Sequence, residues 1–452
     1  MHCFDKLYKK TKPYLKKIKR KITPKSQVKV LLLTNRDSDN VGDQVIEATD
    51  ISLISTVMKN LGLHRWEYEI ISKAVSFVSQ GYLKNRNPKL LEPAEKAIRN
   101  CDIVVFGGAP MFNYMYQNFY ERTAVTIEIA QKYQKPVFFS AIGLEHYDEQ
   151  NKKCQRLKKA LNLDCVKMIT TRDDFEMLQK YKEKESLYID KVADPAVHTC
   201  TVFRKFWIQK KPGRKKKIGI FILREGGFTD NKIPFSKEEA IAFWTKVVEI
   251  VKQRGYDYEI LTSGHFSDEA FVDRLVREYG FPLSKCVFNM NTPEYLISKI
   301  ADCDGVISCR LHPSIISFSL DVPSVGIMWN AKVKGFYDSI GYGNRVFDVI
   351  QEKPEELVDR LELAMKEGIQ KDETYLMSIY QSLFTVMKEQ IKKNSNASPY
   401  PYRKLVSKMV CFKGTSRGEK EEKIKRKFRR VYAKYNKVAD SNRKCENNGG
   451  DK

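Results

Sequence analysis

Arg310 and His312 stand two residues apart in the run Gly305-Val-Ile-Ser-Cys-Arg310-Leu-His312-Pro-Ser-Ile-Ile. An arginine offers a planar fork of N–H donors, and a histidine can give or take a proton near neutral pH. Together they suit the binding of a phosphate or carboxylate and a proton transfer to the bound group. The residues around them say where they sit. Positions 305–309 form a short apolar run of strand length. Pro313 suits the first turn of a helix, where its missing N–H costs nothing. Ile315, Ile316, Phe318 and Leu320 continue as a mostly apolar helix, and 322–328 reads as the next strand. The pair therefore lies at the carboxyl end of a strand, against a helix N-terminus. Open α/β sheets bind ligands there, and the helix end favours an anion. At this point two readings are open: an anion site, or an Arg and a His that only tie a loop down.

Further candidates occupy equivalent places. Strand 28–34 is followed by the polar loop 35–43 and a helix predicted over about 44–60. Asn40 and Gly42 suit a turn with unusual backbone angles, and Asp43 is either a helix N-cap or a substrate contact. Strand 101–107 ends in Gly107-Gly108, which would let backbone N–H groups approach a ligand or simply serve a tight turn. The stretch does not complete Gly-x-Gly-x-x-Gly, so no dinucleotide fingerprint is present. Arg172 ends strand 166–171, with Asp173 and Glu176 after it spaced as a capping box. Arg224 ends strand 218–223 and is placed toward the same cleft. Lys332 lies on the loop after strand 322–328. His265 reads as part of a solvated loop, and His198 is given no role.

The elements that must hold these residues alternate strand and helix in two blocks, which predicts parallel sheets. The expected divisions are a basic arm over 1–27, an α/β domain over 28–203 and a linker over 204–217 that contains Pro212-Gly213. A second α/β domain over 218–352 follows, then helices over 353–394 and a basic tail over 395–452. The hydrophobic content of 42% supports real cores, and no apolar run approaches the span of a bilayer. No secretory signal is visible at the start. The ten cysteines are scattered without Cys-x-x-Cys or zinc-ligand spacing, which predicts reduced thiols in a cytoplasmic protein. The formal charge of +24 calls for an acidic partner, and much of it is gathered at the two ends of the chain. In the C-terminal segment Ile424, Phe428, Val431, Tyr435 and Val438 recur at helical spacing opposite Lys and Arg, the pattern of a helix that lies on an anionic membrane or packs on the body by its apolar stripe.

Arg310-Leu311-His312, the short helix, Val322-Pro323, a strand and then Lys332 together resemble the C-terminal signature of the polysaccharide pyruvyl transferase family. Asn40-Val-Gly42-Asp43, Gly107-Gly108, Ile142-Gly143, Arg172-Asp173 and Asp194-Pro195 extend the resemblance upstream in order. Two places depart from the pattern: the glycine run ends in Ala109-Pro110, and Pro313 stands where the family has a small residue. The resemblance implies two doubly wound Rossmann-like domains facing across a GT-B-like cleft. It implies transfer of a pyruvyl group from phosphoenolpyruvate to a sugar of a surface polysaccharide or its lipid-linked precursor, forming a ketal, as in exopolysaccharide or capsule synthesis. Arg310 and His312 would be catalytic, with Arg310 clamping the donor and His312 acting as general acid. Lys332, Arg172, Asn40, Gly42, Asp43, Gly107, Gly108 and Arg224 would bind substrate. No metal or cofactor is expected beyond the donor itself. The expected partners are the donor, the glycan and an anionic inner membrane face, and nucleic acid is not among them. Two other classes share these features: a GT-B nucleotide-sugar glycosyltransferase, which also needs cations for a diphosphate, and a non-catalytic protein that binds anionic surfaces through its basic ends.

Overall fold

The computed structural model describes residues 28–115, 119–207, 210, 212–391 and 396–448, with side chains up to Ala433. The basic arm over 1–27 lies outside the described residues. The first sheet has the order β2-β1-β3-β4-β5-β6, built from β1 (Val28–Thr34), β2 (Tyr68–Ala74), β3 (Ile103–Gly107), β4 (Val137–Ile142), β5 (Val166–Thr171) and β6 (Tyr188–Lys191). The second has the order β11-β10-β9-β7-β8, built from β7 (Lys217–Phe221), β8 (Asp257–Leu261), β9 (Gly305–Ser308), β10 (Ser324–Ile327) and β11 (Val346–Phe347). Every pairing in both sheets is parallel.

The central strands are covered on both faces, which is why they are continuous apolar runs. Ile103–Gly107 and Val137–Ile142 are buried throughout. The edge strand Tyr68–Ala74 is only half-buried and reads Tyr-Glu-Ile-Ile-Ser-Lys-Ala. It therefore lacks the pattern that marks its neighbours, and it is absent from the sequence-based expectation.

Strand order reverses between β1 and β3 in the first sheet and between β7 and β9 in the second. Loops leaving neighbouring strands at such a point run to opposite faces and open a crevice at the carboxyl ends. The loop before Asn40 and the glycines at 107 and 108 flank the first crevice. Arg224 and Arg310 flank the second.

Six helices position the cleft residues or join the two halves: α1 (Val41–Asn60), α2 (Phe266–Tyr279), α3 (Leu311–Ser319), α4 (Ala331–Ser339), α5 (Glu373–Ile391) and α6 (Arg417–Asn448). The two halves meet directly. Val41 N donates to Ser263 O at 2.8 Å. Gly264 has φ +94, and a Cβ there would lie 2.4 Å from Met290 O and 2.7 Å from Asp39 O, so only glycine fits this junction. One apolar cluster runs from β1 and α1 through Ile315, Ile316 and Phe318 of α3 to Tyr380 and Leu383 of α5. After the second sheet the chain returns to the first half. Ser378 of α5 accepts from Ala193 N at 2.9 Å, and Asn60 donates to the Tyr380 hydroxyl at 2.7 Å.

The C-terminal segment is not a free tail. Phe412 N donates to Val202 O at 2.8 Å, Thr415 bonds to Glu294 at 2.9 Å, and α6 then lies across both halves. Its orientation corrects the expectation of packing by an apolar stripe. Lys423 is buried against the body, while Phe428 and Tyr432 are 70% and 68% exposed. The Tyr435 and Val438 side chains lie outside the described residues. No helix among the described residues is long and apolar enough to cross a membrane.

Candidate active site

The two crevices face one another, and four short connections carry the site. The first starts at Asn40, which caps α1. Its Oδ1 accepts from Gly42 N at 3.1 Å, and its Nδ2 lies 3.1 Å from His312 Nδ1 in the other half. Because Oδ1 is committed to the helix, the amide N–H₂ must face the imidazole. That makes Nδ1 the acceptor and leaves the ring proton on Nε2. Gly42 is required by the same contact: a Cβ there would lie 2.3 Å from His312 Cγ. The helix begins three residues earlier than the sequence suggests. Asp43 is thus in its first turn rather than at its cap.

His312 sits in α3, 7% exposed, with Nε2 buried and unpartnered. Burial holds its imidazole well below the usual value, and the positive fields of Arg172, His265, Arg310 and Lys332 add to the effect. Without a bound anion the ring is therefore neutral.

Arg310 caps the same helix. Its Nε and Nη2 donate to Asp268 of α2 at 2.9 and 2.8 Å, and its guanidinium lies 5.5 Å over the Trp329 ring. Trp329 is itself tied by its indole N–H to Cys309 O. Asp268 occupies the side edge of the guanidinium and leaves the end-on edge, one Nη2 proton and both on Nη1, for a ligand. Arg224 does not join this set through its side chain. That chain pairs with Asp230 at the surface, 38% exposed, and only the backbone N contributes, donating to Asp268 Oδ1 at 3.0 Å. His265 is no solvated loop residue. It precedes α2, where burial and then the nearby Arg310 push its imidazole down to about 4.

Arg172 is buried at the end of β5. It pairs with Asp194, and its Nε is buried without a hydrogen-bond partner. Asp173 does not form the expected capping box. Asp174 caps the following helix, accepting from Met177 N at 3.1 Å. Asp173 instead accepts from Leu144 N at 2.9 Å and faces Lys332 Nζ of α4 at 3.6 Å, across the cleft. Glu145 stands nearby. Burial raises its carboxyl, and Lys332 opposes the rise.

Gly107 and Gly108 have a packing reason. A Cβ on Gly107 would lie 2.2 Å from Asp50 Oδ2, and one on Gly108 2.4 Å from Ile46 Cγ2. The glycines let α1 settle on the end of β3, and they are not open to a ligand. Asp50 is fully buried with neither oxygen partnered among the described residues, and burial and then the neighbouring Asp194 raise its carboxyl well above the usual value. His198, given no role by sequence, is buried and bonds Leu376 O at 3.0 Å, which fixes α5 to the first half.

Asp43 accepts from Asn35 Nδ2 at 2.9 Å. Burial raises its carboxyl from 3.8 to about 6, against the opposing pull of Ser38, Arg172, Asn35 and Lys423. Linkage gives the sign of the effect on stability. The folded state binds this proton more tightly than the unfolded chain, so stability falls as pH rises from about 4 to about 6, and the full loss persists above that. At about 1.4 kcal/mol per pH unit the loss is about 3 kcal/mol. Asp43→Asn is expected to raise the melting temperature at pH 7.5 and leave it unchanged at pH 4. Equal effects at both pH values would contradict the burial account.

The sequence missed Asp268, Trp329 and Glu145. Asp268 looks like any acidic residue in a helix's first turn, and only the strand order brings it under Arg310. Among the described residues no group of three or more His, Cys, Asp or Glu is arranged to hold a metal ion.

Comparison with known proteins matches this architecture. A putative UDP-N-acetylglucosamine 2-epimerase from Listeria monocytogenes superposes with a TM-score of 0.52 at 11% identity, over 83% of this chain and 100% of that one. A further UDP-N-acetylglucosamine 2-epimerase gives 0.51 at 11% identity, over 83% and 100%. The Escherichia coli ADP-heptose heptosyltransferase II is more distant, at 0.39 and 12% identity over 75% and 99%. The first two support a GT-B-type fold of two facing parallel-sheet domains. A sequence search of curated proteins finds no match. The family model described as polysaccharide pyruvyl transferase matches residues 3–330, which contain Asn40, Arg172, Arg310 and His312. The chain belongs to the polysaccharide pyruvyl transferase family.

Proposed function

We propose that the chain transfers a pyruvyl group from phosphoenolpyruvate to two hydroxyls of a sugar in a surface polysaccharide or its lipid-linked precursor, leaving a ketal. One observation carries this reading. Two buried groups, Arg172 Nε and His312 Nε2, have no hydrogen-bond partner among the described residues, and the cations Arg310 and Lys332 act on the same imidazole. Buried donors without partners are costly, and a small ligand with two anionic groups would satisfy them. Phosphoenolpyruvate carries a phosphate and a carboxylate. The free edge of Arg310 can take one bidentately, and Arg172 and Lys332 the other.

In the proposed reaction a proton adds to the methylene carbon and positive charge develops at C2. One sugar hydroxyl adds there, the C2–O bond to phosphate breaks, and the second hydroxyl closes the ketal. Of the two hydroxyl protons released, one balances that given to carbon and one leaves with phosphate. His312 is the proposed acid. The donor's negative charge offsets the fields of Arg172, Arg310 and Lys332, and so raises the imidazole toward its protonated form once substrate is bound, a form in which Nδ1 also carries a proton and the Asn40 amide turns its oxygen toward the ring. The donor brings its own leaving group, so the scheme calls for no further cofactor.

The test is to incubate the protein with phosphoenolpyruvate and extracted glycolipid. Phosphate release with a pyruvate-sized mass gain on the glycan is expected. A nucleotide-sugar glycosyltransferase would use the same cleft. Tight nucleoside diphosphate binding without any phosphoenolpyruvate binding would replace the present reading with that one.

We further propose that the reaction takes place at the cytoplasmic face of an anionic membrane. Phe428 and Tyr432 lie one turn apart on the outer side of α6, among the exposed Lys425 and Arg429. Such a face suits the interface of an acidic bilayer, where each cation contributes about 1 kcal/mol. The chain should co-sediment with anionic and not neutral vesicles, and the double change Phe428→Ser, Tyr432→Ser should weaken this. Absence of any lipid preference at low salt would reject the placement.

A further inference from the structure

Four cations of α6, Lys423, Arg426, Lys427 and Arg430, fall at i, i+3, i+4 and i+7, which is one helix face. Two of them are matched. Lys427 pairs with Glu269 of α2, and Arg430 pairs with Asp39 at 3.1 Å and donates to Asp37 O at 2.8 Å. These contacts hold the helix to both halves at once. Among the described residues the other two are not matched by a carboxylate. Lys423 is 7% exposed and donates only to the neutral amide of Gln44, at 2.7 Å to Oε1. Arg426 Nε is buried and has no partner.

The charged groups facing Lys423 are Asp43 of α1, Asp39 of the preceding loop, and Lys427 and Arg426 of its own helix. Burial pushes its ammonium down to about 7, Lys427 adds to this, and the two aspartates oppose it without restoring the usual value. Burying a cation against an amide alone is unfavourable unless an anion completes its shell. Asp43 feels both Arg172 in the deep cleft and Lys423, which puts Lys423 beside the donor site, and Arg426 in turn is near Lys423. The family model ends at residue 330, well before α6. The pair is thus supplied by a part of this chain outside the family match.

We propose that Lys423 and Arg426 form a second anion subsite at the cleft mouth, which takes a phosphate or diphosphate group carried by the acceptor. This deepens the pyruvyl-transfer reading by giving the acceptor's chemical class, and it rests on that reading for the word acceptor. The anion itself could belong to a soluble sugar phosphate or to a lipid-linked one.

The experiment is calorimetric titration of the full chain with inorganic diphosphate, with no phosphoenolpyruvate present. Wild type and Arg310→Lys are expected to bind. Lys423→Met and Arg426→Gln are each expected to weaken binding about tenfold or more, as for loss of a charge-assisted hydrogen bond. Lys423→Arg keeps the charge and should retain binding, and Arg426→Gln keeps the test readable if Lys423→Met fails to fold. Unchanged binding in both Lys423→Met and Arg426→Gln overturns the subsite, as does loss of binding in Arg310→Lys alone. Competition by glucose 1-phosphate or by vesicles containing phosphatidic acid supports the acceptor role and tells the soluble source from the lipid one. Competition by neither overturns that role. Failure of the pyruvyl-transfer reading would show instead as absent phosphate release with diphosphate binding intact.

Discussion

His312→Asn is expected to retain phosphoenolpyruvate binding and to lose turnover by about 10²–10⁴-fold, the range for removal of a general acid. The expectation comes from the ring's surroundings. Asn40 fixes Nδ1 as acceptor, and Nε2 is the buried group without a partner. An asparagine can fill part of the space and donate one hydrogen bond, but it cannot deliver a proton near neutral pH. The pH profile gives a second check. Burial, with the fields of Arg172, Arg310 and Lys332 added, holds the free imidazole well below its usual value and so keeps it neutral. The free protein should therefore show no His312 titration near pH 6.5, while the complex with donor should. Measured by NMR of labelled histidine, a ring that titrates normally in the free protein would contradict this account. An unchanged rate in His312→Asn would leave the ring as a phosphate ligand and place the acid elsewhere.

Arg310→Lys is expected to weaken phosphoenolpyruvate binding by about 10–100-fold while leaving the fold intact, the cost of one charge-assisted bidentate contact. A lysine keeps the charge and loses the planar fork. It cannot hold Asp268 with two bonds and also present a flat edge to a carboxylate or phosphate. The stacking on Trp329 is lost as well. Asp268→Asn supplies the companion measurement. It leaves Arg310 charged but frees its orientation, so binding should weaken less than in Arg310→Lys. Equal binding by wild type and Arg310→Lys would remove the guanidinium from the donor site.

The two expectations depend on different kinds of information. Arg310 and His312 are legible in the chain because their flanks are local: an apolar run of strand length, a proline suited to a first turn and a short apolar helix. The strand-to-helix turn is set by those neighbours. The same holds for Val28–Thr34, Ile103–Gly107 and Val137–Ile142, whose burial on both faces writes a near-continuous apolar run. The edge strand Tyr68–Ala74 has no such run, because one side of an edge is open and charged residues are tolerated there.

What the sequence determined by itself is thus the alternation of strand and helix, the two blocks and the placing of cations at strand ends, since these depend on patterns within a dozen residues. What only the tertiary structure decided are the partners. Asp268 under Arg310 is 42 residues away, Asn40 against His312 is 272, and Lys423 on Gln44 is 379. Such pairs are set by strand order and by the return of α6 across both halves. The same packing reassigned the glycines. Gly42 makes room for the His312 ring, and Gly107 and Gly108 make room for α1, requirements that arise only when distant chain segments press on them. It also decided how α6 lies. The apolar residues at helical spacing left open whether that stripe lies on a membrane or packs on the body, and acids at Asp39 and Glu269 drew cations of the other face inward. Electrostatic matching across the two halves set the helix's orientation, and left Phe428 and Tyr432 facing out.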